Sequence, residues 1–170
     1  MAATAFYKLW TGYKDGQEND EVKAAWKRLC KRNYHLHCTI QNNTDQRIYF
    51  DSDYFNSGSM FIPPPDEIGP RSNVTFGVGG GSYSGDALRS AMMGAVSGGA
   101  KFHIGGCNFA VGFTDPIIGS RKAGVAVASN AKAGYDAVSS SGNTVTSDGY
   151  RIVASIDSDG RKATYRVEKI

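Results

Sequence analysis

The chain has 170 residues, 41% of them hydrophobic and 21% charged, with a net charge of +3. That size and balance suit one domain with its own core and exclude a disordered chain. No eighteen apolar residues run together, which excludes a transmembrane helix, and three scattered cysteines exclude a disulfide scaffold.

The charge is local. Residues 1–35 hold seven Lys/Arg against four acids, the whole excess of +3, whereas residues 36–170 hold twelve of each. The start, Met1-Ala-Ala-Thr-Ala-Phe-Tyr-Lys8, lacks a charged segment followed by an apolar run. No secretory signal is expected from it, so the protein is expected in the producer's cytosol or released without such a signal. Residues 1–19 mix Phe6, Tyr7, Trp10 and Tyr13 with turn material and read as an arm. A helix is predicted over residues 20–33: Asn19 or Asp20 caps it, acids occupy its first turn, and five bases crowd Lys23–Arg32. Val22, Ala25, Trp26, Leu29 and Cys30 give it one narrow apolar stripe.

After Tyr34 the hydrophobic period drops to two. Leu36, Cys38 and Ile40 alternate, Asn42-Asn43-Thr44-Asp45 turns, and Arg47–Phe50 resumes, which predicts a hairpin. Short alternating runs then recur at Phe61-Ile62, Val74/Phe76/Val78, Phe102/Ile104, Phe109/Val111/Phe113, Val125/Val127, Ile152/Ala154/Ile156 and Ala163/Tyr165/Val167, separated by turn signals. The fold class is therefore mainly β. It is an antiparallel β-sandwich over residues 34–170, one domain overall, with the N-terminal amphipathic α-helix and one further short helix read over residues 87–96. The Ser/Gly/Ala-rich stretch 126–147 is the softest region and is expected to contain a long loop.

Most chemical motifs dissolve on inspection. The glycine run from Gly77 lacks the Lys-Ser/Thr ending and the βαβ context of a phosphate cradle, so it reads as loop. His35 and His37, two apart on a strand, face one side opposite Leu36, and a metal would need a third ligand such as His103 or an Asp. Cys30 and Cys38 stand outside any paired motif and Cys107 has no evident base, so no metal site and no cofactor are expected. No triad or carboxylate pair occurs, which points to a binding protein rather than an enzyme. Nucleic acid is not an expected partner, because the strand aromatics are not interleaved with Lys/Arg and the sandwich is neutral. Asn42-Asn43-Thr44 and Asn73-Val74-Thr75 read as plain turns.

An ordered set of short matches carries a family resemblance across about residues 20–170. Ile40-Gln-Asn-Asn-Thr44 followed by Tyr54-Phe55-Asn56-Ser57-Gly58 resembles the first hairpin of the actinoporins, the sea-anemone cytolysins. Gly94-Ala95-Val96, then Gly105-Gly106 before Phe109–Phe113, then Thr114-Asp115-Pro116, and finally the Gly149-Tyr150 and Thr164–Glu168 strands follow in the family's order. The resemblance implies a sandwich with helices on both faces that binds phosphocholine headgroups and then releases its N-terminal helix to insert and oligomerise. It implies a headgroup site of Ser57, Val96, Thr114, Pro116 and Tyr135. The family's aromatic loop is replaced here by Ile117-Ile118-Gly119-Ser120-Arg121-Lys122. Ile117 and Ile118 would insert shallowly there while Arg121 and Lys122 pair with phosphates. The inserting helix would act through Val22, Trp26, Lys27 and Leu29. The expected function is therefore that of a membrane-lipid-binding, pore-forming cytolysin-like protein, homo-oligomeric on a phospholipid membrane with phosphocholine or anionic headgroups. The alternative is a lectin-like module binding a cell-surface glycan on the same sandwich, by analogy with fungal fruit-body lectins.

Overall fold

A computed structural model describes residues 20–80, 95–157 and 159–170. The predicted arm and residues 87–94 of the second predicted helix lie outside these. Helix α1 spans Asp20–Cys30, three residues shorter than expected at its C-terminal end. Asp20 and Glu21 occupy its first turn and Lys27 and Arg28 its last, each sign matched to the helix dipole.

Among the described residues eleven strands follow, and their alternation sorts them into two layers. The strands are β1 (His35–Asn43), β2 (Ile48–Ser57), β3 (Ser59–Ile62), β4 (Glu67–Ile68), β5 (Asn73–Gly79), β6 (Val96–Ile104), β7 (Cys107–Asp115), β8 (Lys122–Val127), β9 (Asn143–Ser147), β10 (Tyr150–Asp157) and β11 (Lys162–Lys169). A six-stranded sheet runs β3-β5-β1-β11-β10-β9 and a five-stranded sheet β4-β2-β6-β7-β8. The inward residues of both make one core, in which Phe76 of the first sheet meets Phe102 and Phe113 of the second at ring-centroid distances of 6.4 and 6.1 Å. Tyr165 crosses this core to donate its hydroxyl to the Gly112 carbonyl at 2.5 Å. Burial drives that phenol well above its ordinary pKa, so it stays a donor. The mainly β sandwich expected from the alternation is the fold observed.

One topological expectation is corrected and one is refined. β1 and β2 do not form a hairpin: β1 pairs with β5 and β11, whereas β2 pairs with β4 and β6 in the opposite layer. The turn is a corner between sheets, held by the buried Asn42 side chain, whose amide donates to the carbonyls of Gln46, Ile68 and Gly69. The sandwich is also not wholly antiparallel, because β1 runs parallel to β11. Alternation alone carries no strand direction, so neither point is visible in the hydrophobic pattern.

Glycines decide where helices dock. Gly77 and Gly79 lie on the outward face of β5, alternating with the inward Phe76 and Val78, and leave a trench in which Leu29 and Trp26 of α1 sit. On the other sheet Gly99, Gly112 and Gly124 are register partners across β6, β7 and β8. A Cβ at any of the three would strike backbone of the segment 131–138, which includes the short helix α2 (Lys132–Asp136). One correction here concerns glycine: the run from Gly77 begins as strand rather than loop. The stretch 126–147 also holds α2 and β9.

Candidate functional site

The outward face of the five-stranded sheet carries a polar row at one end. Ser57 pairs with Ser97, Ser97 with Thr114, and Thr114 with Lys122, so four neighbouring strands present one residue each on the same side. Ser57 Oγ lies 3.0 Å from Ser97 Oγ, and the Asn56 amide reaches Ser97 Oγ at 3.4 Å. The Thr114 hydroxyl is buried and has no hydrogen-bond partner among the described residues. A buried hydroxyl without a partner costs free energy, so this one is poised to gain from an added acceptor.

Two residues along the strands, roughly 7 Å, the Gly99–Gly112–Gly124 row receives α2. Tyr135 projects from α2 against Tyr54 of β2, with ring centroids 5.8 Å apart and planes at 50°. Two tilted aromatic faces attract a cation better than one. Tyr54 and Ser97 are residues that sequence reasoning missed. Tyr54 stands inside the quoted Tyr54–Gly58 stretch, but only the fold sets it opposite Tyr135 and sets Ser97 between Ser57 and Thr114. Lys132 pairs with Asp136 one turn along α2, at 3.1 Å.

Beside the row, the 116–121 segment leaves the sandwich. Ile118 is 90% exposed and Ile117 36%. Pro116, Arg121 and Lys122 are half-buried. Arg121 does not extend freely from this loop, because its Nε donates to Asp115 Oδ1 at 3.1 Å. Asp115 Oδ2 accepts from Arg161 Nη1 at 3.1 Å and from the His35 backbone N–H at 3.0 Å. This buried carboxylate ties the end of β7 to the starts of β1 and β11.

No family model matches the chain, and no curated protein matches it. Among solved structures, the crystal structure of the lipid binding protein Nakanori shares the fold. The match covers 97% of this chain and 84% of that one, with a TM-score of 0.62 and 11% sequence identity. At that identity the likeness speaks for the fold.

The remaining predicted residues divide by layer. Ser57 and Thr114 are joined through Ser97, with Tyr135 and Pro116 nearby in the same region. Val96 is fully buried in the core and pairs with Asp115, so its side chain points away from the Ser97 face. Val22 and Leu29 are buried under α1, Trp26 is half-buried and Lys27 is exposed, all on the opposite sheet. Leu36 enters the core while His35 and His37 stay outside it, as their spacing implied. Their third neighbour, however, is neither His103 nor an Asp. His103 lies on the other sheet against Asp51, and Cys30 at the end of α1 takes the place instead. Burial holds both imidazoles below their ordinary pKa, with a smaller contribution at His37 from repulsion by His35.

Proposed function

We propose that the protein binds membrane lipid through the outward end of the five-stranded sheet, with phosphocholine as the headgroup. The observation that carries this reading is the buried, unpartnered Thr114 hydroxyl, set among Ser57, Ser97 and Lys122 and beside the exposed Ile118. Phosphate oxygens take hydrogen bonds from the Ser57, Ser97 and Thr114 hydroxyls and charge from Lys122. The quaternary ammonium sits between Tyr54 and Tyr135. Ile118 enters the acyl boundary next to the headgroup. The shared fold of a protein described as lipid binding supports the reading.

Pore formation is the second step of the same proposal, with α1 as the element that leaves the sandwich. Its docked face is small, consisting of Val22, Ala25 and Leu29 with Trp26 at the rim. Undocking exposes apolar surface worth roughly 4–7 kcal/mol, and that cost is returned when the same stripe enters lipid. Eleven residues of helix span about 16 Å, half of a hydrocarbon core of about 30 Å. Among the described residues no helix is long and apolar enough to cross a membrane; in this proposal several copies assemble to make the pore.

Vesicle sedimentation and dye release test both steps. Binding is expected to vesicles of phosphatidylcholine or sphingomyelin, and to weaken when the choline headgroups are replaced by phosphatidylglycerol. Dye release with membrane-dependent crosslinked oligomers supports the second step. No sedimentation at any lipid composition sinks the proposal, and inert vesicles with a clear glycan-array hit would select a lectin instead.

A further inference from the structure

The joint between α1 and β1 holds a side-chain cluster that lipid binding leaves unused. We propose that Cys30, His35 and His37 form a binding site for a thiophilic divalent transition metal, zinc above all, that ties the C-terminal end of α1 to the six-stranded sheet.

One ligand atom from each of the three residues lies within 4.8 Å of the other two. Tetrahedral zinc with Zn–S of about 2.3 Å and Zn–N of about 2.0–2.1 Å sets its donors roughly 3.3–3.6 Å apart. Closure therefore needs about 1 Å, a movement open to the exposed Cys30 side chain. Cys30 is exposed and His37 half-buried, so an ion has access from solvent.

The supporting geometry resembles that of ligating histidines. His35 Nδ1 lies 2.9 Å from the Arg32 carbonyl. A carbonyl only accepts, so Nδ1 carries the proton and Nε2 keeps its lone pair. A ring N–H held by a backbone carbonyl is the usual outer-shell partner of a metal-bound imidazole. His37 lies flat against Trp26, with centroids 4.9 Å apart and planes 9° apart, which fixes its plane. Trp26 and Cys30 are i,i+4 neighbours on α1, so the helix presents both toward β1.

The donor set selects the metal. A thiolate with two imidazoles suits zinc, and the lack of oxygen donors disfavours calcium and magnesium. Three protein ligands leave a fourth position for water. Serine offers no thiolate, so it cannot supply the soft donor that selects the metal. The site does not rest on the lipid reading, and a bound metal would hold α1 against the undocking that the pore step requires.

Cobalt(II) titration of the reduced full-length chain tests this without lipid. One equivalent is expected to give a thiolate-to-cobalt charge-transfer band and four-coordinate visible absorption, both removed by zinc. Cys30→Ser should abolish the charge-transfer band. His37→Gln should weaken binding by more than the ~10–100-fold that losing an outer-shell partner costs. Cys107→Ser should leave the spectrum unchanged, and far-UV circular dichroism confirms that each variant is folded. Zinc should raise the melting temperature of the wild type and not that of Cys30→Ser. A wild type without the band, or a band that survives in Cys30→Ser, overturns the proposal.

Discussion

Ile118→Ser separates membrane affinity from folding. Ile118 is 90% exposed, so it contributes almost nothing to the core, and the substitution should change folding stability by no more than about 0.5 kcal/mol. In the docked state the same side chain leaves water. Full burial of an isoleucine is worth about 1.5–3 kcal/mol, which corresponds to a loss of about 10- to 100-fold in vesicle partitioning. Ile117, already partly covered, should lose less when changed to serine. Sedimentation with phosphatidylcholine vesicles gives the partition coefficient, and thermal denaturation gives the stability. Equal partitioning of Ile118→Ser and wild type, both folded, refutes docking through this loop.

Thr114→Val removes the unpartnered hydroxyl while keeping the shape; stability should hold or rise by up to about 1 kcal/mol while vesicle affinity falls, and unchanged affinity would deny the hydroxyl a headgroup role. Gly77→Val fills the trench, where even a Cβ would lie 2.5 Å from Leu29 and 2.9 Å from Ile62. It should cost about 1–3 kcal/mol and expose the amides of 20–30 to hydrogen exchange while β10 and β11 stay protected; equal protection of α1 would show that it does not rest there. Asp51 faces Lys101 and His103 of β6, with Asn108 of β7 also bonded to Lys101. Burial works to raise its pKa, but those hydrogen bonds outweigh it and hold the carboxyl below its ordinary value. The stability it adds is present above about pH 4 and lost as pH falls through the lower folded value, so Asp51→Asn should flatten the acid limb of a melting profile. Asp115→Asn weakens the charge-assisted bonds to Arg121 and Arg161 and should cost about 2–3 kcal/mol by chemical denaturation, less than a fully buried pair because both arginines reach water; an unchanged midpoint would remove Asp115 as a tie between the sheets.

The layers were legible and the docking was not. Val74/Phe76/Val78 and Phe109/Val111/Phe113 announced core strands through period-two spacing, and α1 through its stripe and its charge order. Strand partners were not legible, since a corner at Asn42 and a hairpin at Asn42 share the same turn residues. The Tyr54–Tyr135 pair joins residues 81 apart in the chain and has no local signature. Cys30 joins His35 and His37 because α1 ends where β1 begins, and cysteine spacing alone does not convey that. One signal was present and unread. Gly77 and Gly79 alternate with Phe76 and Val78, so a single face of that strand lacks side chains. Glycine at period two inside a strand marks a close approach by another element, whereas glycine in sequence marks a loop.

Helices α1 and α2 lie on opposite faces, yet the features that the proposal assigns to membrane contact gather at one end of the sandwich. The polar row occupies the end of β2, the start of β6, the end of β7 and the start of β8. The joint of α1 with β1 lies at the same end, where His35 pairs with Gly79. A Cβ on Gly58 would touch both the Gly79 carbonyl and Val96, so the layers approach closely there. Asp115 spans the gap, bonding Arg121 of the exposed loop through one oxygen and the His35 N–H and Arg161 through the other. Arg161 also donates to the Asn33 carbonyl in the α1–β1 connection. On the proposed lipid reading, a phosphate that draws on Arg121 competes with one oxygen of Asp115, while the other oxygen keeps the His35 N–H and Arg161, so the loop can take up a headgroup without releasing the start of β1.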